Sequence, residues 1–119
     1  PIPDVRQQRR NLEGVTFASG STRLTPESKE TLDKVVRTLQ SNPNMEIEIR
    51  GYTDNTGSYD TNMRLSLGRA DSVRDYLINN GISGARIRTR GFGPADPIAP
   101  NSTREGRAKN RRIEFLRIQ

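Results

Sequence analysis

The segment Gly51–Val73, GYTDNTGSYDTNMRLSLGRADSV, decides the fold of this chain. It begins at the end of an alternation of apolar and charged residues, Ile47 to Arg50, which is typical of a strand with one buried face. A polar loop is predicted from Tyr52 to Thr61, and apolar residues then recur at helical spacing. The segment therefore predicts a strand, a loop and a helix in direct succession.

Arg69 is the unusual residue of the predicted helix, because it shares a row of positions with the apolar residues Leu65 and Val73. A structural interpretation is that its stem is buried and its charged head reaches water at the rim of the apolar stripe. A functional interpretation is that the head meets an anion near the helix start, where backbone donors also favour anions. Asn62 lies on the same stripe, two turns closer to the N-terminus.

Asp54 supplies the opposite charge on the loop that leaves the predicted strand. Ligands of open α/β sheets tend to lie just beyond the carboxyl ends of strands, so Asp54 and Arg69 can face one cavity. Such a pair suits a zwitterion, since aspartate binds an ammonium and arginine binds a carboxylate through two parallel hydrogen bonds. The alternative is that the two side chains pair with each other, which contributes ~0–1 kcal/mol when the pair is exposed.

The whole chain predicts alternating strands and helices. In order, we expect a strand over residues 12–17, a helix over 26–42, a strand over 47–50, a helix that ends at 79–81, a strand over 86–92, a short helix over 103–109 and a strand over 113–118. The two helical crossovers favour parallel pairs, and the last strand can run antiparallel. The predicted fold class is α/β (α+β): a two-layer β-α-β-α-β-(α)-β sandwich with a mixed four-stranded sheet and helices on one face.

Composition narrows the function classes. The chain has 119 residues, enough for one domain, and it contains neither cysteine nor histidine. Disulfides, thiol catalysis and zinc–thiolate sites are therefore not expected, and the commonest general base is absent. No cofactor and no metal site is predicted. The net charge of +6 is concentrated towards both ends, which indicates either solvated faces or attraction to a polyanion, such as nucleic acid or an acidic cell-wall polymer.

The boundaries of the chain give three further expectations. Pro1–Asn11 is rich in proline and arginine and is predicted to be a linker or tether, with one domain over residues 12–119. No apolar run has the length of a membrane span, and no signal-peptide pattern is present. Because the chain begins at Pro1 without methionine, we expect an excised domain whose membrane attachment lies only in segments outside it.

Several blocks of sequence follow one another in an order that is specific to one family. They are GYTDNTG at 51–57, NMRLSLGRA at 62–70, GFG at 91–93, PIA at 97–99 and GRAKNRRIE at 106–114, preceded by Phe17, Gly20 and Leu24-Thr25. From about Leu12 to the C-terminus, the chain resembles the OmpA-like C-terminal domain of peptidoglycan-associated lipoproteins and MotB-type flagellar stator proteins.

The resemblance implies noncovalent binding of Gram-negative peptidoglycan through the diaminopimelate of the stem peptide. Such a domain anchors the outer membrane or an envelope protein to the cell wall from the periplasm. Asp54 matches the family's aspartate that binds the ammonium, and Arg69 matches the arginine that binds the carboxylate. The remaining family contacts correspond to Thr53, Asn62, Leu65 and Arg111. Some members of the family dimerise, and the sequence leaves the oligomeric state open.

Two positions depart from the family pattern. Many members have histidine in place of Tyr52 and aspartate in place of Ala18. If position 18 contributes only a backbone group, its change is harmless, and otherwise it lowers the affinity. For Arg107 and Arg112 we favour structural roles, as caps of helix carbonyls or as partners of nearby glutamates.

Two other function classes compete with the binding module. A nucleic-acid-binding domain would explain the high isoelectric point, but the few aromatic residues form no stacking platform and no basic recognition motif is present. An enzyme acting on the cell wall would need a carboxylate pair, such as Asp54 with Asp60 or Asp71. Asp71 is expected on the wet face of the helix, so we predict that the domain is not an enzyme and binds no nucleic acid.

Overall fold

The computed structural model of the chain describes residues 9–12, 14–18 and 20–118. Its strands and helices, in chain order, are β1 (Arg9–Asn11), α1 (Pro26–Ser41), β2 (Ile47–Tyr52), α2 (Tyr59–Asn79), β3 (Ile87–Gly93), α3 (Arg104–Asn110) and β4 (Arg112–Arg117). One turn of 3₁₀ helix, Gly84–Arg86, precedes β3. This is a mixed α/β fold, as the sequence predicts. None of the helices in the described ranges is both long and apolar enough to cross a membrane.

The strands form one mixed sheet in the order β1-β4-β2-β3. β2 and β3 pair in parallel, as the crossover through α2 predicts, and β4 pairs antiparallel with both β2 and β1. The first crossover does not produce a neighbouring parallel pair, because β4 lies between β1 and β2. The last strand in sequence therefore occupies an interior position of the sheet.

The predicted first strand is in the wrong place. Pairing with β4 occurs at Arg9–Asn11, whereas a strand was expected over residues 12–17. Val15 is buried in the core and Phe17 packs against it, so the apolar spacing reflects core contacts without a ladder of sheet hydrogen bonds. The predicted tether is consequently too long, because its last three residues belong to the sheet, and its remainder, 1–8, lies outside the described residues.

Two details of the helix starts differ from what the sequence predicts, which for α1 is a capping threonine before Pro26. Thr25 precedes α1, but its hydroxyl bonds to the hydroxyls of Thr16 and Ser28 at 2.6 and 2.9 Å and does not cap the helix. α2 begins at Tyr59, before the predicted end of the loop at Thr61. The cap is Ser58, whose Oγ accepts a hydrogen bond from the backbone N–H of Thr61, the third residue of the helix.

The core lies between the sheet and the helices α1 and α2. Its buried apolar residues are Val15, Leu32, Val36, Leu39, Ile47, Ile49, Ala70, Val73, Leu77, Ile82, Ile87 and Ile113. α2 lies directly on the sheet at Gly51 and Gly91, which are partners in the β2–β3 register. A Cβ atom at Gly51 would lie 2.1 Å from the carbonyl oxygen of Ser66, so only glycine allows this approach. The first turns of α2 are thereby placed beside the end of β2.

Candidate functional site

A cleft of about 850 Å³ opens at the carboxyl end of β2. Its walls are the loop from β2 to α2, the first turns of α2, the segment before α1, and α3. The six residues that the sequence predicts for the site all line it: Thr53, Asp54, Asn62, Leu65, Arg69 and Arg111. The fold thus brings together residues that are up to 58 positions apart, from Thr53 to Arg111.

Asp54 is a buried carboxylate at the base of this cleft. Its Oδ1 accepts a hydrogen bond from the backbone N–H of Thr56 at 2.8 Å, and its Oδ2 accepts one from Nη1 of Arg111 at 2.7 Å. Burial alone would raise the pKa of Asp54, but the Thr56 N–H and the Arg111 guanidinium lower the pKa by more, so that it lies below its ordinary value. The carboxylate is therefore charged at neutral pH.

Arg69 is buried to a similar degree on α2, at 8 % exposure. Its Nε donates a hydrogen bond to the carbonyl oxygen of Ser21 at 2.9 Å, and its guanidinium lies 5.0 Å from the centre of the Phe17 ring. Burial, and then the positive charge of Arg111, lower the pKa of Arg69, while Asp54 opposes the shift. Arginine still remains protonated at neutral pH.

The structure contradicts the pairing of Asp54 with Arg69 that the sequence left open. Asp54 forms its salt bridge with Arg111, and none joins it to Arg69 in the part of the chain that the structure describes. The structural interpretation requires the head of Arg69 to reach water, but the residue is buried. Within the described ranges its two terminal nitrogens have no hydrogen-bond acceptor, although the residue lines the cleft.

Thr53 and Asn62 hold the loop that carries Asp54. The Thr53 hydroxyl donates to the backbone carbonyl of Asp54 at 2.8 Å, and the Asn62 amide donates to that of Thr56 at 2.9 Å. The Thr53 hydroxyl and the Asn62 amide nitrogen are therefore engaged within the protein. Leu65, which is half-buried, contributes apolar surface to the wall.

Arg112 has the structural role that the sequence favours. Its Nε lies 2.6 Å from Oε2 of Glu114, and its Nη2 donates to the carbonyl oxygen of Asp96 at 2.8 Å. The same guanidinium lies 3.8 Å from the centre of the Tyr52 ring. Tyr52, where many family members have histidine, is thus a buried ring packed beneath an arginine.

Sequence reasoning missed part of the α3 wall. Arg107 donates to the carbonyl oxygen of Asn101 at 3.0 Å, as a structural role requires, but it also lines the cleft. Arg104 lines the cleft as well and was not predicted. The spacing of Arg104, Arg107 and Arg111 by three and four residues was the available signal, because such spacing is typical of residues on one side of a helix and its C-cap.

Asn110 fixes this wall to the proline-rich loop that precedes it. The fully buried side chain accepts hydrogen bonds from the N–H groups of Ile98 and Ala99 at 2.8 and 3.0 Å. Its amide donates to the carbonyl oxygen of Ala99 and to the side chain of Asn101. A single residue at the end of α3 therefore holds the loop and the helix together.

Residues 16–111 match the OmpA family. The chain belongs to this family. It is 53 % identical over 101 residues to the probable lipoprotein YiaD of Escherichia coli, covering 85 % of this chain and 46 % of YiaD. It is 45 % identical over 102 residues to the peptidoglycan-binding protein ArfA of Mycobacterium bovis, covering 86 % of this chain and 31 % of ArfA.

A solved structure supports the same assignment. The peptidoglycan-associated lipoprotein from Burkholderia pseudomallei superposes with a TM-score of 0.81 and 28 % identity, covering 87 % of each chain. By contrast, this chain spans less than half the length of YiaD and of ArfA. The matched region is therefore only a part of those longer proteins.

The carboxylate pair required by the enzyme hypothesis does not form in this OmpA-family domain. Asp71 is exposed on α2, as predicted, where its Oδ1 accepts a hydrogen bond from the Thr89 hydroxyl at 2.7 Å. Asp60 is exposed in the first turn of the same helix. Neither residue lines the cleft with Asp54.

Proposed function

We propose that this domain binds peptidoglycan noncovalently, through the diaminopimelate of the stem peptide, and so anchors an envelope protein to the cell wall. One observation carries the proposal: Asp54 and Arg69 line the same cleft, both are buried, and they do not pair with each other. Opposite charges are thus available at fixed positions. The names of ArfA and of the Burkholderia lipoprotein, which refer to peptidoglycan, support the same ligand.

In the proposed complex, Asp54 accepts hydrogen bonds from the ammonium at the end of the diaminopimelate side chain. Arg69 donates its two terminal nitrogens to the neighbouring carboxylate. The hydrogen bond to Ser21 and the stacking on Phe17 hold the Arg69 guanidinium in advance, so little ordering is left to the binding step. Thr53 and Asn62 act indirectly, by fixing the loop of Asp54.

Selectivity for diaminopimelate over lysine follows from Arg69. We call Asp54 and Arg69 together the clamp. A stem peptide with lysine in place of diaminopimelate keeps the ammonium but lacks the carboxylate. Arg69 would then remain desolvated without a counter-charge, at a cost of about 1–3 kcal/mol. This cost corresponds to a Kd weaker by roughly one to two orders of magnitude.

The test is calorimetric titration with the tripeptide L-Ala-γ-D-Glu-diaminopimelate and with its L-lysine counterpart. We expect the wild-type chain to prefer the first, and Asp54→Ala and Arg69→Ala each to lose most of the binding. Asp75→Ala and Arg88→Ala are matched controls, because both residues are exposed and remove the same charges elsewhere. Equal binding of the two tripeptides would overturn the proposal. Unfolding of either cleft variant in a thermal melt would assign that residue a structural role.

The location and the anchoring role belong to the whole protein. We propose that the domain lies in the periplasm of a Gram-negative cell and that segments outside residues 1–119 attach it to a membrane. The names of two relatives, an outer-membrane protein Omp38 and an outer-membrane lipoprotein YfiB, support an envelope location. Cell fractionation, combined with pull-down on purified cell-wall sacculi, tests both parts.

A further inference from the structure

The helix α3 and the residue that ends it present a row of arginines to the cleft. Arg104 and Arg107 lie three residues apart on α3, Arg111 is the C-cap residue four positions further on, and all three line the cavity. Ala108, on the same face, is small and leaves room in front of the row. We call Arg104, Arg107 and Arg111 the α3 arginine row.

The residues that line the cleft carry an excess of positive charge, and one bound zwitterion does not neutralise it. Among the described residues that line it, Asp54 is the one acid, and it is paired with Arg111. Arg112 is paired with Glu114. The described residues offer no carboxylate to Arg104 or Arg107, and a zwitterion held by Asp54 and Arg69 brings no net charge to compensate them. A bound anion would relieve this excess of positive charge.

We propose that the α3 arginine row is a second subsite that binds a further carboxylate of the same peptide. This inference rests on the proposed function, because the diaminopimelate clamp fixes the peptide next to the row. Arg107 is the principal contact, since it is half-buried and the bond from its Nη1 to Asn101 fixes its head. Arg104 is exposed and adds attraction. The tripeptide offers two such carboxylates, the α-carboxylate of the D-glutamate and the carboxyl terminus.

The competing explanation is that Arg107 only secures the loop at Asn101. Arg107→Gln separates the two roles, because glutamine keeps a side-chain N–H donor and loses the charge. The matched control is Arg88→Ala, which lowers the net charge by the same amount at an exposed position on β3. Circular dichroism and thermal melts establish that each variant is folded.

The experiment titrates the wild-type chain and the variants with three probes. They are the free tripeptide, its α-amide at the D-glutamate and its C-terminal amide. We expect one of the amides to bind wild type about tenfold more weakly than the free tripeptide, as is typical for the loss of a charge-assisted hydrogen bond. Arg107→Gln should weaken binding of the free tripeptide by a similar factor and leave binding of that amide unchanged. The amide that loses affinity identifies the carboxylate.

The outcomes separate this subsite from the clamp. If both amides bind wild type as tightly as the free tripeptide, the subsite is wrong, while a dependence on Asp54 and Arg69 would leave the clamp intact. An equal loss for Arg107→Gln with acid and amides alike would also overturn the subsite and assign Arg107 to the loop. If the free tripeptide does not bind the wild-type chain, both proposals fail.

Discussion

The neighbours of Asp54 keep its carboxylate charged and fix the orientation of that group. The N–H of Thr56 and the guanidinium of Arg111 occupy one position on each carboxylate oxygen. Each oxygen can accept a second hydrogen bond, so the residue can bind an ammonium without releasing either partner. The side chain of Arg111 is 45 % exposed, whereas that of Asp54 is 11 % exposed, so the pair is accessible from its arginine side.

The lowered pKa of Asp54 predicts how binding depends on pH. Because the carboxylate stays charged below its ordinary pKa of 3.8, affinity for the diaminopimelate tripeptide should be constant from pH 7 to about pH 4 and fall only below that. Titration calorimetry across this range measures the affinity. The control variant is Asp54→Asn, whose weak residual binding should not show the fall in affinity in acid. A loss of affinity that begins above about pH 5 would contradict a lowered pKa.

The same shift has a consequence for stability. Since the pKa of Asp54 is lower in the folded than in the unfolded chain, its stabilising contribution is fully present above the unfolded pKa. It is lost as the pH falls through the folded pKa. The difference in unfolding free energy between wild type and Asp54→Asn should therefore be constant near neutral pH and shrink in acid.

At the scale of elements, α2 supplies one wall of the cleft. Asn62, Leu65 and Arg69 lie on it, and its distance from the sheet sets their distance from Asp54. That distance is set where the helix crosses Gly51 and Gly91 without an intervening side chain. Packing against two glycines thus determines the geometry of the site.

Gly51→Ala should damage both stability and binding. The new methyl group would lie 2.1 Å from a backbone carbonyl of α2, which cannot move aside as a side chain can. We expect a loss of about 1–3 kcal/mol in the unfolding free energy, measured by chemical denaturation. We also expect weaker binding of the tripeptide, because α2 and Arg69 are displaced from Asp54.

Gly68→Ala is the comparison for this variant. Gly68 lies inside α2, where alanine is the better helix former by about 1 kcal/mol. Among the described residues, its Cβ would meet the side chain of Thr22 at 2.8 Å, and no backbone atom of another element. It should therefore be much less harmful than Gly51→Ala. Equal effects of the two substitutions would show that the contact with the sheet does not position the helix.

Some elements could be predicted from the sequence and others could not, for physical reasons. α1 and α2 end where Asn42 and Gly81 indicate, because helix stops are local in sequence. The start of α2 was placed too late because the signal of Ser58 as a cap lies within a polar loop. Arg104 was missed because its role depends on which face of a short helix meets the cleft, which is a property of packing.

At the scale of the whole molecule, the shortest strand, β1, forms one edge of the sheet. β1 contributes the partner of β4 on the side away from β2, in a register that runs from Arg9 with Leu116 to Asn11 with Glu114. The backbone N–H of Leu12 continues this contact to the carbonyl oxygen of Ile113 at 2.8 Å. The segment has no apolar alternation, so nothing in its own sequence predicts a strand, and only the free edge of β4 gives it a partner.

Deleting this strand therefore tests where the domain begins. A chain that starts at Arg9 keeps β1, and a chain that starts at Leu12 loses it and leaves the edge of β4 without its ladder. We expect the shorter chain to be less stable than the longer one by about 1–3 kcal/mol, measured by urea denaturation, since the backbone pairing of β1 with β4 is lost. It should also associate more readily in sedimentation velocity, because an uncovered edge strand pairs with other chains. Binding of the tripeptide should survive at temperatures where both chains are folded, because β4 separates β1 from β2, at whose end the cleft opens. Equal stability of the two chains would return the domain boundary to residue 12.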